Sequence, residues 1–326
     1  MKSLFSEGVS RIGLGTWQLG MRGWGSGYDE STLTEALRIG IKNGLNFIDT
    51  AELYGNGTSE MLIGKAIEGM KREDIKIATK LAGFNATARR VKKRLSGSLK
   101  RLGVDYVDLY QVHWEPSIYT NMRELFRELE KLENEGLIKH IGVSNFSRES
   151  IQLGNESMKE AKIESNQIKF NLIERPSEDL MDFMRKEEIK VIAWSPLAQG
   201  FLTGKYSKDR RPSGYVRRAN RLFSTASFEK YEPLLTKLRE VAERRKATPS
   251  QVALSYESYL GVLPIPGFRN AEQVKEIVGA STLSLTKEDV EDINATLEKC
   301  GVIRISGSFY PRLLPNFIAM LGALFI

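Results

Sequence analysis

Asp49, Tyr54, Lys80 and His113 each stand just past an apolar run that ends like a β-strand, so a fold that gathers strand ends would collect all four. Together they would make a proton donor for a carbonyl. A phenol with an unperturbed pKa of about 10 is a poor acid at neutral pH, but an ammonium beside it favours the phenolate and lowers that value. At roughly 4 Å and an effective dielectric near 20 the attraction is about 4 kcal/mol, or roughly three pK units. Tyr54 would then be the acid and Lys80 its acidifying neighbour. Asp49 would keep Lys80 charged and fixed, and His113 would hydrogen-bond the same carbonyl oxygen.

The elements that must position these groups alternate along the chain. Strand patterns fall at 13–17, 46–49, 75–80, 107–111, 141–144, 166–170, 191–194 and 262–265. Helical patterns fall at 32–43, 59–68, 88–102, 121–135, 147–158, 178–186, 231–245 and 271–278. Such alternation predicts an α/β fold, a (β/α)8 TIM barrel, with chemistry at the C-terminal ends of its strands. Two further helices, 249–259 and 287–297, are expected outside the ring, followed by a C-terminal tail. An open doubly wound sheet would need a Gly-rich dinucleotide loop after its first strand, and Gly13, Gly15 and Gly20 do not give that spacing.

With 326 residues and 41% apolar content, the chain fits one barrel domain over 1–326, the stretch 301–326 being its tail. The single cysteine, Cys300, forbids an intrachain disulfide and points to a reducing cytoplasm. No run approaches the roughly 20 apolar residues of a membrane span, so no transmembrane segment is expected. The apolar stretch 313–326 is also too short to cross. It is expected to fold over the barrel mouth or flank, with an oligomer contact as the alternative. The net charge of +7 gathers partly at 88–102, where Val91, Leu95, Leu99 and Leu102 recur at helical spacing. Those cations read as the solvated face of an amphipathic helix, and nucleic acid is not expected as a partner. The basic stretch 208–221 reads as a long loop, whose charge could equally serve a phosphorylated cofactor.

Gly-Leu-Gly-Thr-Trp at 13–17, Asp-Thr-Ala-Glu-Leu-Tyr-Gly at 49–55, Lys80, Val-His-Trp at 112–114 and Gly-Val-Ser-Asn-Phe at 142–146 give the sequence a resemblance to the aldo-keto reductases. It continues through Trp-Ser-Pro-Leu-Ala-Gln-Gly at 194–200 and Ile-Pro-Gly-Phe-Arg at 265–269, and reaches about Lys299. The resemblance implies a barrel that reduces aldehydes and ketones to alcohols with NADP(H), without metal or flavin. The stretch Gly-Phe-Leu-Thr-Gly-Lys-Tyr at 200–206 looks most like the bacterial, archaeal and potassium-channel β-subunit branch.

Carried over by position, Asp49, Tyr54, Lys80 and His113 match the catalytic tetrad, with Tyr54 the general acid. Ser144, Asn145 and Gln167 match residues that hold the nicotinamide carboxamide. Trp194 stands where the family stacks a tyrosine or phenylalanine on the nicotinamide. Ser195, Leu197, Gln199 and Gly200 match the pyrophosphate side. Gly267, Arg269, Gln273 and Glu276 match the adenosine end, Arg269 facing the 2′-phosphate. Thr16, Trp17, Pro196 and Lys205 complete the implied cofactor set, to which Asp49 also belongs. Two positions depart from the family: Ile277 replaces an adenine-touching asparagine, and Gly267 replaces a phosphate-side lysine.

Three of the four tryptophans, Trp17, Trp114 and Trp194, fall at strand ends, and Trp24 follows the first strand. A substrate pocket of Trp17, Trp24, Tyr54, His113 and Trp114 is expected, taking a small-molecule carbonyl. His140, the other histidine, reads as structural. A second reading is a nucleotide-binding, redox-sensing auxiliary subunit with little turnover. A homo-oligomer is also compatible with the sequence.

Overall fold

Eight parallel strands pair in chain order: β1 (Leu14–Gly15), β2 (Phe47–Asp49), β3 (Lys76–Leu81), β4 (Val107–Val112), β5 (Ile138–Ser144), β6 (Ile163–Lys169), then, past a short outer strand β7 (Glu174–Pro176), β8 (Lys190–Trp194) and β9 (Leu263–Pro264). The computed structural model describes residues 3–6, 8–20, 29–213, 217 and 220–305. The sheet curls until its last strand meets its first, where Gly13 and Gly15 donate to the carbonyls of Pro264 and Pro266 at 2.9 and 3.0 Å. Gly15 permits that approach, because a Cβ there would stand 2.5 Å from the Ile265 carbonyl oxygen. The result is the (β/α)8 barrel expected from the alternation. Trp24 and the apolar stretch 313–326 lie outside the described residues.

Helices form where caps and apolar stripes agree. The Ala88–Leu102 helix buries Val91, Leu95, Ser98 and Leu102 and leaves Arg89, Arg90, Lys92, Lys93 and Lys100 in solvent. Two of its arginines turn inward instead: Arg94 and Arg101 bond the buried Glu52 and Glu60 at 2.6 Å each. Thr248 closes a capping box with Gln251, and Pro249 stands at the first turn of the Pro249–Tyr259 helix, where its missing N–H costs nothing.

The extra helices are not the pair read from the sequence. Pro249–Tyr259 packs against the Ala271–Thr282 helix, which in turn packs on Glu30–Lys42, so it belongs to the ring. The additions are Thr225–Arg245 and Lys287–Cys300, which pack on each other. They share an apolar cluster of their own with Leu172, Phe201, Phe223 and Tyr256. The sequence reading starts the longer of them at 231, so that Pro233 falls in its first turn. The helix begins six residues earlier, at Thr225, capped by Ser224, which accepts from the Ser227 N–H, and Pro233 lies in the helix interior. Beside this cluster β7 pairs in parallel with β10 (Ile303–Ile305), a ribbon the sequence did not announce. Among the described residues no helix is long and apolar enough to cross a membrane.

The N-terminal pole of the barrel is plugged. Leu4, in a single 3-10 turn, packs with Phe47, Leu109, Ile192 and Leu263 inside the strands. Glu164 ties it there, accepting from the Leu4 N–H and the Ser3 hydroxyl at 3.0 Å each. The other oxygen of Glu164 meets His140 Nδ1 at 2.8 Å, so this histidine has the structural place expected of it.

One buried carboxyl has no such partners. Glu257 is fully enclosed, and neither of its oxygens has a hydrogen-bond partner among the described residues. Burial pushes its pKa well above the usual carboxylate range, the charge of Arg175 only partly opposing. A raised folded-state pKa gives stability that is complete below the unfolded value of about 4.3 and is lost as pH rises toward the folded value. Glu257→Gln is therefore expected to raise Tm relative to the parent at neutral pH, and the gain should shrink to nothing near pH 4. A gain that stays constant across that range would contradict a neutral buried acid.

Candidate active site

Asp49 ends β2, Lys80 is the fifth residue of β3, Tyr54 begins the 3-10 turn Tyr54–Gly57, and His113 follows β4. The turn doubles back through left-handed Gly55, Asn56 and Gly57, whose φ values are 59°, 55° and 92°. That return brings the phenol over the strand ends. Lys80 is fully buried and donates to Asp49 Oδ2 at 2.6 Å, to the Thr50 carbonyl at 2.8 Å and to the Tyr54 hydroxyl at 3.1 Å. The His113 ring stands edge-on to Tyr54, with centroids 5.6 Å apart. All four residues singled out from the sequence are thus brought together.

The electrostatics differ from the expectation in one respect. Burial pushes the Tyr54 phenol above its ordinary value; Lys80 pulls it down, and Asp49 returns part of that pull. The two-charge arithmetic counted the ammonium alone, leaving out the desolvated phenol and the carboxylate behind the ammonium. Tyr54 is consequently a neutral phenol with a cation waiting beside its oxygen. Burial also works against the Lys80 ammonium, but Asp49 and Tyr54 outweigh it and raise its pKa. His113 is driven well below its ordinary value by burial and then by Lys80, so its ring is neutral at pH 7. Its Nδ1 is buried and has no hydrogen-bond partner among the described residues.

The carboxamide candidates sit together at the ends of β5 and β6, where Ser144 pairs in register with Gln167. Ser144 Oγ donates to the Gln167 carbonyl at 2.8 Å, and Asn145 Nδ2 donates to Ser144 Oγ at 3.0 Å. Trp194 donates its indole N–H to Asn145 Oδ1 at 3.0 Å, a bond that a phenylalanine there could not make. After β8 the chain turns through left-handed Ser195, Ala198, Gln199 and Gly200, with Pro196 buried and Leu197 partly so. Gln199 Oε1 accepts from Asn220, and Lys205 is exposed.

At the far end of the candidate nucleotide track, Gln273 Oε1 accepts from the Arg269 N–H at 2.8 Å and Glu276 accepts from Thr248 at 2.8 Å. Ile277 is buried in the barrel's main core, so its side chain is not offered to a nucleotide at all. Thr16 donates to the Asp49 carbonyl at 2.7 Å and receives a bond from Ser59.

Two buried atoms suit this track to a nucleotide. Ser195 Oγ and Gln18 Oε1 are both enclosed and have no partner among the described residues. The Gln18 amide fills the space above Gly267, within 2.0–2.3 Å of where a Cβ would stand. A side chain at 267 would displace it. Sugar hydroxyls and phosphate oxygens are the groups that satisfy such donors and acceptors.

Of the pocket aromatics, Trp17 is half-buried. Trp114 is 5% exposed and clustered with Ala82 and Phe84, and its ring backs that of His113 at 5.0 Å. Its indole lies against Gly83, whose Cβ would stand 2.2 Å from Nε1. Sequence reasoning also passed over Gln111 and Gln18. The signal for Gln111 was present, since it lies two residues before His113 on the strand face that points inward.

The chain belongs to the aldo/keto reductase family, whose family model matches residues 11–298. An uncharacterised oxidoreductase of Mycobacterium tuberculosis is 38% identical over 297 residues, spanning 88% of this chain and 90% of that protein. The NADH-specific methylglyoxal reductase of Escherichia coli is 30% identical over 307 residues, spanning 86% and 92%. Among solved structures, a glycerol dehydrogenase of Gluconobacter oxydans superposes with a TM-score of 0.81 at 31% identity, covering 93% of this chain and 96% of that one. An aldo-keto reductase of Klebsiella pneumoniae, crystallised with NADPH, gives 0.70 at 29% identity, covering 88% and 90%.

Proposed function

We propose that this protein is an NADPH-dependent carbonyl reductase in which Tyr54 is the general acid. The observation that carries the reading is Lys80, buried and bonded at once to Asp49 and to the Tyr54 hydroxyl. Ser144, Asn145, Gln167 and Trp194 would hold the nicotinamide end of the dinucleotide, which when bound would supply the hydride. Tyr54 donates its phenolic proton to the carbonyl oxygen as negative charge develops there. Lys80 stabilises the phenolate left behind, and Asp49 keeps that ammonium in place. The neutral His113 ring contributes a second hydrogen bond to the same oxygen. The reverse oxidation uses the same groups. A cytoplasmic location belongs to this reading and rests on the lone Cys300, which is buried.

A panel of aldehydes and ketones followed by nicotinamide absorbance tests the proposal. Tight nucleotide binding with negligible rates on every carbonyl would favour the auxiliary-subunit reading. For cofactor choice we assign Arg269 to the 2′-phosphate; it is partly buried beside Gly267 on the candidate track. Loss of a charge-assisted bond of about 1.5–3 kcal/mol predicts that Arg269→Ala weakens NADPH by about 10- to 100-fold and NADH little. Equal losses for both nucleotides would remove the assignment, and a parent preference for NADH would place this chain with its Escherichia coli relative.

A further inference from the structure

Inside a (β/α)8 barrel, side chains from alternate strands form layers, normally of branched apolar residues. Phe47 on β2, Leu109 on β4 and Leu263 on β9 follow that rule and pack in one cluster. Two residues further along, the period of a strand brings Asp49, Gln111 and Gln167 inward from β2, β4 and β6. This layer is polar and buried: Gln111 is 0% exposed, and Asp49 and Gln167 2% each. Gly142, paired in register with Gln111, leaves room for its side chain, since a Cβ there would stand 2.9 Å from Gln111 Cγ.

The three side chains bond in one direction. Asp49 spends Oδ2 on Lys80 and takes two amide donors on Oδ1, Gln167 Nε2 at 2.7 Å and Gln111 Nε2 at 3.2 Å. Gln167 Nε2 also reaches Gln111 Oε1 at 3.4 Å. A carboxylate accepts and does not donate, so it fixes which end of each amide faces it. Both protons of the Gln167 amide are then engaged inward, and Oε1 is the end left to face away from Asp49. An acceptor is what a carboxamide N–H needs.

We propose that Gln111 is a positioning residue: it locks the amide of Gln167 with its oxygen toward the nicotinamide seat, and so couples that seat to the Asp49–Lys80 pair that serves Tyr54. The inference rests on the carbonyl-reductase reading, but its test does not need turnover. Gln111→Leu keeps the bulk and removes both bonds. It should weaken the nicotinamide dinucleotide, measured by fluorescence titration with NADPH, by about five- to tenfold, the cost of one buried hydrogen bond. The weakening should be the same at pH 6 and pH 8.

Gln111→Glu places a second carboxyl against Asp49, and two carboxyls sharing a site cannot both ionise freely. Its NADPH affinity should match the parent's more nearly at pH 6 and fall steeply by pH 8. A generally loosened barrel would not produce that difference between the two variants. If Gln111→Leu does not fold, the pH dependence of Gln111→Glu decides alone. Parent-like affinity in Gln111→Leu, or an NADPH affinity of Gln111→Glu that does not change with pH, would overturn the proposal. Failure of the Tyr54 reading appears elsewhere, as retained turnover in Tyr54→Phe with Gln111 intact.

Discussion

Tyr54→Phe is expected to lower kcat by about 10²- to 10⁴-fold, the usual contribution of a positioned proton donor. The substitution removes one oxygen and keeps the ring that lies 5.6 Å from His113. NADPH affinity should stay near the parent's, because none of the residues assigned to the carboxamide bonds the phenol. Steady-state rates together with a fluorescence titration separate the two effects. Turnover within about tenfold of the parent would remove Tyr54 from the acid's role. Since the phenol is held neutral, the parent's reduction rate should persist through neutral pH without a fall near pH 7.

Lys80→Met is expected to have the largest effect on stability. It leaves Asp49 charged inside the barrel with its ammonium gone, and removing one partner of a buried pair costs about 3–5 kcal/mol. The two glutamine donors on Oδ1 soften that cost, so the lower end is the better expectation. Urea unfolding measures it. Adding Asp49→Asn should restore much of the stability, because the stranded charge disappears, while turnover stays lost in both variants. A single variant as stable as its parent would mean that the pair is not charged in the fold.

The residues proposed to carry chemistry were legible because they sit at strand ends, and strand ends in this fold converge. Helix limits were legible where caps are explicit: 88–102, 178–186 and 249–259 were read as the structure has them, with Ser177 and Thr248 capping the latter two. Other features depend on tertiary contact. Whether Pro249–Tyr259 or Thr225–Arg245 joins the ring is decided by packing against Ala271–Thr282, which no local pattern encodes. The ribbon of β7 and β10 joins two three-residue stretches, each too short to read alone. Trp114 was read from its place at a strand end, but that Gly83 leaves room for its indole depends on a contact between two strand ends that no local pattern encodes. The Tyr54 phenol shows the same limit in electrostatics: proximity to Lys80 follows from spacing, but desolvation is a property of the assembled site.

The plug held by Glu164 gives the molecule a built-in orientation for practical use. Ser3 and Leu4 are held at the pole opposite Tyr54, so a support coupled beside them would grip the sealed base. Immobilised that way, the catalyst would present its strand-end face to the bulk liquid, whereas attachment through Lys92 or Lys93 would lay the barrel on its side.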